Sequence, residues 1–289
     1  MNPVAGTGNK SKVRRAIEKK MAEKEVAFEI HATNPQGDYS SLRSKIKEGV
    51  NDIIVAGGDG TLNAVVNDLR DTGVNFGLIP LGSGNGLALT AGISRKTEVA
   101  IEQALSGAPV LTDAFMINDR FSCMLSGLGF DAQVAHDFAK QKTRGLITYV
   151  KQSYNNFLKA KPYKFEISSE GNTIKTEAFF ISIANSNQFG NQFTIAPQAS
   201  LTDGKLDIVV VQKMTKLQLL LAVLRQVISG EVKDRPYKKD HVIYFQTPAL
   251  IIKNMENAPL HIDGDPVDTA ALFDIKIIPQ AFRLIQPVV

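Results

Sequence analysis

Two short apolar runs in the first third of the chain each end in a glycine-rich turn, and this pairing restricts the possible folds more than any other feature. Asp52-Ile-Ile-Val-Ala56 runs into Gly57-Gly-Asp-Gly-Thr-Leu-Asn63, and Phe76 to Pro80 runs into Leu81-Gly-Ser-Gly-Asn-Gly86. A short apolar run closed by glycines is the pattern of a strand buried on both faces, as parallel sheets contain. Parallel neighbours need a crossover long enough for a helix, and Leu62 to Leu69 supplies one between the two strands. Val13, Ile17 and Met21 repeat every fourth position within Ser11 to Lys24, and further helices are expected over Asp38 to Lys47 and Lys96 to Leu105. A strand is expected at Val26 to Ile30. This alternation implies an α/β domain with an open, mostly parallel sheet, where ligands gather at the carboxyl ends of the strands.

After about Ala108 the texture changes. Strand character appears at Phe121 to Leu125, Tyr163 to Ser168, Ile174 to Ala184, Leu206 to Val211, His241 to Gln246, Ala249 to Lys253 and Leu272 to Pro279, separated by turn signals. Helices are expected around Leu146 to Ala160 and from Thr215 to Ile228. The length of 289 residues suits two cores. The expected division is residues 1–108, an α/β nucleotide-binding domain, and residues 109–289, an antiparallel β-sandwich-like domain.

Glycines in the first turn let backbone N–H groups approach a phosphate, and the following helix N-terminus adds a favourable dipole. Asp59 has two readings there: a carboxylate that holds or orients Mg²⁺ beside a nucleotide, or a helix N-cap in a tight turn. A second turn at the end of a neighbouring parallel strand would grip the nucleotide from the other side. Neither GxxxxGK[ST] nor GxGxxG after a strand with a ribose-binding acid is present, which argues against a Walker-type site and a Rossmann dehydrogenase.

Other classes fall away. Cys123 is the single cysteine, so an intrachain disulfide and a multi-thiolate metal site are excluded, and its apolar setting reads as a buried small hydrophobe. The four histidines are scattered without zinc-site spacing. A net charge of +4 is too small to imply nucleic acid. No apolar stretch reaches the length of a signal peptide core or a membrane span, so a cytoplasmic protein, at most peripheral to a membrane, is expected.

NPVAGTG at Asn2 to Gly8, AGGDGTLN at Ala56 to Asn63 and PLGSGNGLA at Pro80 to Ala88 together resemble the diacylglycerol kinase catalytic domain family, which includes bacterial lipid kinases and sphingosine and ceramide kinases. The resemblance continues through GLGFDA at Gly127 to Ala132, the segment Ala196 to Ile208 with DGKLDI, and HIDGDP at His261 to Pro266. It implies transfer of the ATP γ-phosphoryl group to a lipid hydroxyl, in a cleft between an NAD kinase or phosphofructokinase-like α/β domain and a β-rich domain. Asp263 stands where the family has its catalytic base, with Asp265 in place of the usual Glu and Asp59 near the metal. Read alone, Asp263-Gly264 is a hairpin turn. The nucleotide contacts implied are Asn2, Thr33, Gly57, Gly58, Asp59, Gly60, Thr61, Gly82, Ser83, Gly84 and Asn85. Asp203, with carbonyls of Ser200 and Lys205, resembles a structural Mg²⁺ site of some bacterial members, although Thr-Asp-Gly is also an ordinary turn. Asp131 is implied more weakly as part of the carboxylate network. Gly86 and Leu89 replace the Asp and Arg usual in bacterial diacylglycerol kinases, which brings that loop closer to the sphingosine and ceramide kinase form. Asn187 to Gln192 departs from the usual glycine-rich stretch. Family members have an apolar strand before NPxxG and this sequence starts at that turn, so either a missing first strand or an unusual sheet edge is expected.

A lipid kinase must reach a bilayer. Thr215 to Ile228 carries Leu217, Leu220, Leu221, Leu224 and Ile228 on one helical face, and Lys213 to Lys239 holds seven basic and two acidic residues. That combination suits an anionic membrane surface; a helix packed on the sheet beside a solvated basic loop is the plainer reading. The acceptor lipid and the oligomeric state are open, with a homodimer compatible. The rival readings are an NAD kinase, which shares GGDGT, and a nucleotide- and lipid-binding protein without turnover.

Overall fold

The computed structural model describes residues 1–6, 10–34, 36–139, 160–188, 194–213 and 241–288. The helices expected around 146–160 and 215–228 fall outside them, apart from Ala160. The chain divides into two compact units, Met1–Thr112 with Gln280–Val289, and Asp113–Pro279. The last ten residues thus belong with the first unit, a feature that a single cut at 108 does not contain.

The first unit holds helices α1 (Lys10–Glu23) and α2 (Ser40–Lys47), strand β1 (Asp52–Gly57), α3 (Asp59–Leu69), a 3-10 turn at Arg70–Thr72, β2 (Asn75–Pro80), α4 (Gly86–Thr90) and α5 (Thr97–Ser106). β1 and β2 pair in parallel from Asp52↔Asn75 to Gly57↔Pro80. The far edge of β2 takes the end of the last strand, β13 (Leu272–Gln286), also in parallel at Arg283↔Asn75 and Leu284↔Phe76. β2 is therefore central and almost wholly buried. α3 covers this sheet with Leu62, Val65, Val66 and Leu69, α5 with Ala100, Ile101 and Ala104, and α1 buries the expected Val13, Ile17 and Met21. Each large apolar side chain so buried is worth about 1.5–3 kcal/mol. A Cβ on Gly77 of β2 would come within 3.1 Å of Ala104 Cβ, so glycine there lets α5 lie close on the strand.

The strand expected at Val26 to Ile30 does not form. Alternation proposes a strand, but a strand exists only with a partner's backbone. Along β1 the edge is occupied by the N-terminal residues: Asn2 N–H donates to Ala56 O at 2.8 Å, Met1 O accepts from Thr33 N–H at 3.1 Å, and the Met1 amino group donates to His31 O at 2.6 Å. Val26 and Phe28 are left exposed.

The strands of the second unit are the end of β3 (Ala108–Ile117), β4 (Arg120–Ser122), β5 (Leu125–Gly129), β6 (Tyr163–Ser169), β7 (Asn172–Ala184), β8 (Leu206–Gln212), β9 (Val242–Thr247), β10 (Ala249–Asn254), β11 (Leu260–Ile262), β12 (Asp265–Val267) and the first part of β13, with one helix, α6 (Phe130–Ala139), among the described residues. Here β4, β5, β7, β8, β10 and β11 and their neighbours pair antiparallel. β7 pairs with β6 along its first half and lies between β5 and β8 along its second. The core gathers Phe115, Leu128, Phe165, Ile181, Ile208, Ile252 and Phe273. The single strand expected at Phe121 to Leu125 is broken into β4 and β5, for a reason given below. Among the described residues no helix is long and apolar enough to cross a membrane.

α1 is tied to α5 by charge. Glu102 of α5 meets Lys20 Nζ at 2.8 Å, takes a further bond from Lys24 Nζ, and accepts from Ser106 Oγ at 2.9 Å. The bonds from Lys20 and then Lys24 pull its carboxyl from 4.5 down to about 2. A carboxyl lowered by folding stabilises the fold above its unfolded value and loses that contribution as pH falls toward the folded one. The protection factors of the α1 amides, their exchange rates relative to the intrinsic rate at each pH, are therefore expected to fall between about pH 4.5 and 2 in the wild type, and to be less pH-dependent across that window in Glu102→Gln.

Candidate active site

In the first unit the two glycine turns are packed against each other. A Cβ on Gly82 would lie 2.8 Å from Gly58 Cα, and one on Gly58 would lie 3.1 Å from Gly82 Cα. Leu81 N–H donates to Gly57 O at 2.8 Å, which carries the sheet register into the turns. Asp59 joins them: Oδ2 accepts Gly86 N–H at 3.1 Å and Oδ1 accepts Leu87 N–H at 3.2 Å. Asp59 is thus the carboxylate cap of α4, a neighbouring helix, while standing in the first turn of its own α3. Burial pushes its carboxyl above the usual range, against the downward pull of the Gly86 and Leu87 amides.

Other expected nucleotide contacts also brace the turns. Asn85 sits in the left-handed region at φ 56°, its Oδ1 accepting Gly82 N–H at 2.9 Å and its Nδ2 donating to Gly82 O at 2.7 Å. Asn2 Nδ2 donates to Thr61 Oγ1 at 2.8 Å, and its Oδ1 accepts Val4 N–H at 2.9 Å. Gly60, Thr61, Ser83 and Gly84 are half-buried in the same pair of turns. The structure therefore brings together Asn2, Gly57 to Thr61 and Gly82 to Asn85 at the carboxyl ends of β1 and β2. Thr33 bonds Met1 on the neighbouring segment. The N-terminus of α3 has no side-chain cap on Gly58, so its first amides are the ready anion donors of this face.

In the second unit Asp263 and Gly264 form the two-residue loop between β11 and β12, with Ile262 opposite Asp265. Their φ values, 49° and 86°, are both left-handed, as a type I′ hairpin requires. The hairpin reading and the carboxylate reading of this dipeptide hold together, because the turn is what aims the side chain. Asp263 Oδ1 accepts Ser122 Oγ at 2.6 Å, Met124 N–H at 3.1 Å and Leu125 N–H at 3.0 Å; Oδ2 accepts Cys123 N–H at 3.2 Å, with Cys123 Sγ at 3.7 Å. Asp263 N–H returns to Leu125 O at 2.8 Å. These amides leave the ladder to serve a carboxylate, which is why β4 stops at Ser122 and β5 starts at Leu125. Asp265, two residues on, is exposed.

Several contributors to this site carry no sequence signal beyond being polar at an apolar strand end. Asn185 Nδ2 donates to Cys123 O at 3.1 Å and to Asp113 O at 2.8 Å, while the amides of Asn185 and Ser186 donate to Met124 O at 2.9 and 3.0 Å. The 122–125 loop is thus held by its carbonyls from one side and by its amides from the other. Asp131 pairs with His261 at 3.3 Å, both buried.

Asp203, Ser200 and Lys205 lie on one turn and bond chiefly within it: Lys205 N–H donates to Asp203 Oδ1 at 3.1 Å, and Ser200 Oγ meets Thr202. The buried Asp113 secures this turn, accepting Gly204 N–H at 2.7 Å. Asp207 of DGKLDI is fully buried and bonded to the Tyr244 hydroxyl and the Gln246 amide; burial pushes its carboxyl up. Magnesium prefers several oxygen donors in near-octahedral array. Among the described residues no three His, Cys, Asp or Glu side chains are grouped together, and Asp59 spends both oxygens on α4, which leaves Asp203 with the Ser200 and Lys205 carbonyls as the oxygen set, on the 200–205 turn, that would hold magnesium.

Residues 1–117 match the family model of the diacylglycerol kinase catalytic domain, and residues 125–286 match that of the YegS C-terminal NAD kinase beta sandwich-like domain. The second model covers more than half of the chain, which therefore belongs to the family of the YegS C-terminal NAD kinase beta sandwich-like domain, with that domain preceded by a segment that matches the diacylglycerol kinase catalytic domain. A probable lipid kinase YegS-like of Shewanella frigidimarina is 26% identical over 85% of this chain and 80% of its own. The diacylglycerol kinase of Bacillus subtilis is 27% identical over 91% of this chain and 88% of its own. A crystal structure described as a diacylglycerol kinase from Bacillus anthracis superposes with a TM-score of 0.75 at 19% identity, covering 99% of this chain and 94% of that one. That likeness concerns the fold, an α/β unit followed by an antiparallel one, as the sequence implied.

The glycine contact yields a direct test. Gly82→Ala drives a Cβ into Gly58 Cα and Asn85 Oδ1, both at 2.8 Å. Overpacking of this kind is expected to cost about 1–3 kcal/mol in denaturant unfolding.

Proposed function

We propose that this protein transfers the γ-phosphoryl group of ATP to the hydroxyl of a membrane lipid of diacylglycerol or sphingoid type. The observation that carries the reading is the match of both family models, in order, along nearly the whole chain. Its nucleotide phosphates would lie at the paired turns, on the amides of Gly58, Gly60, Ser83 and Gly84 and the N-terminus of α3. Asp263 takes up the proton of the attacking hydroxyl, and its bonds to the 122–125 loop fix its geometry before substrate arrives, the kind of preorganisation phosphoryl transfer depends on. Asp265 assists from the exposed side of the same turn. Magnesium would enter with the nucleotide as its counter-ion and neutralise phosphate charge.

The test is incubation with labelled ATP and total lipid extract, with NAD in a parallel tube. Labelled lipid is the expected product; label on NAD alone would move the protein to the NAD kinase reading, and label on neither to a binding protein. Asp265→Asn should lower kcat at least about tenfold with an unchanged melting temperature, because its side chain is exposed. Asp263→Asn should lower both, because an amide would point N–H at N–H inside the loop.

Membrane contact through the Thr215 to Ile228 segment, outside the described residues, is part of the proposal and supports a peripheral, cytoplasmic location. Sedimentation with anionic liposomes should be strong for wild type and weak for Leu219→Glu/Val223→Glu; equal binding removes that segment's role.

A further inference from the structure

We propose that His261, held by Asp131, is a positioning residue for the turn that carries Asp263. The proposal rests on the kinase reading in taking Asp263 as the reacting carboxylate. His261 is 1% exposed and lies on β11 opposite Gly127. Its Nε2 is 3.3 Å from Asp131 Oδ2, and its Nδ1 accepts Gly264 N–H at 3.3 Å. An Nδ1 that accepts from an amide leaves the ring proton on Nε2, where Asp131 receives it. Asp131 is itself oriented, with Oδ1 accepting Ala132 N–H at 2.8 Å in the first turn of α6. A three-part brace therefore runs from helix α6 through the imidazole to the peptide that follows Asp263.

The space for this brace is built into the strand beneath it. A Cβ on Gly127 would fall 1.9 Å from Asp131 Oδ2 and 2.6 Å from His261 Nε2, so the glycine of GLGFDA is what admits the pair. For packing alone an apolar residue would serve at the centre of β11, and a buried His–Asp pair carries a desolvation cost that an apolar side chain avoids. The return on that cost is orientation. Gly264 N–H belongs to the Asp263–Gly264 peptide, and fixing that peptide's plane in a left-handed turn fixes where the Asp263 carboxylate points. The loop at 122–125 holds the carboxylate from its far end, while His261 holds the turn at its backbone.

Two substitutions separate this role from packing. His261→Asn keeps an acceptor near the Nδ1 position for Gly264 N–H and gives up the reach to Asp131; His261→Gln keeps reach toward Asp131 and gives up the Nδ1 acceptor. Amide exchange of Gly264, an exposed residue, reads the brace without any turnover. It should be slow in wild type, nearly as slow in His261→Asn, and at least about tenfold faster in His261→Gln. With ATP and the lipid labelled by the wild type, His261→Gln should lose kcat about tenfold or more while KM for ATP stays within about twofold, and His261→Asn should recover most of the loss. Asp131→Asn, which keeps an oxygen toward Nε2, serves in place of His261→Gln if the latter does not fold, with a smaller loss of the same kind. Wild-type kcat in His261→Gln, or equal losses in both His261 variants with a shared fall in melting temperature, would overturn the positioning role. Failure of wild type to label any lipid would instead count against the kinase reading, and Gly264 exchange alone would then decide whether His261 holds the turn.

Discussion

The carboxylate of Asp263 organises the second unit around itself. Three successive backbone amides and a serine hydroxyl converge on it, so the chain between Ser122 and Leu125 cannot continue as a strand. Bonds to an ionised acceptor are worth about 1.5–3 kcal/mol each, more than the ladder bonds the loop forgoes. The consequence reaches further than the loop. With its amides committed to Asp263, the loop's carbonyls are free to be gripped by Asn185 and Ser186 from the end of β7, and the same hairpin that presents Asp263 presents Gly264 to His261. In the proposed role as base the carboxylate would have to be held within a fraction of an ångström, and here backbone rather than long side chains does the holding.

The first unit solves a different problem with a similar economy of side chains. Its two turns approach until glycine meets glycine, at a distance where any Cβ would force them apart. Asp59, Asn85 and Asn2 then spend their polar atoms bracing the turns, so the proposed phosphate contacts fall to backbone amides. Dipolar backbone groups suit a ligand of high negative charge because they need no reorganisation when it arrives.

What was readable in the chain followed from local chemistry. The fourth-residue repeat of α1, the glycine-closed strands β1 and β2, and the Asp-Gly hairpin all declare themselves within a few residues, since periodicity and turn conformation are local properties. Val26 to Ile30 shows the limit: its alternation is that of a strand, yet pairing depends on a backbone elsewhere. Asp59 shows it again. As an acid before a helix it reads as a cap or a metal partner, whereas its bonds run to α4, 27 and 28 residues away. Asn185, Asp113 and His261 were hidden for the same reason, since each acts on residues more than 60 positions distant or across a turn whose geometry the sequence does not display.

Sequence alone determined the family, the α/β unit followed by an antiparallel one, and the residues that could carry phosphate or a proton, because motif order and residue chemistry survive without coordinates. Tertiary structure decided what those residues are bonded to: Asp263 is gripped by amides it also displaces from a strand, Asp59 caps a helix other than its own, and the chain's last residues return to flank β2. Each of these is a hydrogen bond between segments far apart in the chain, and such a bond exists only once both segments have been brought to the same place.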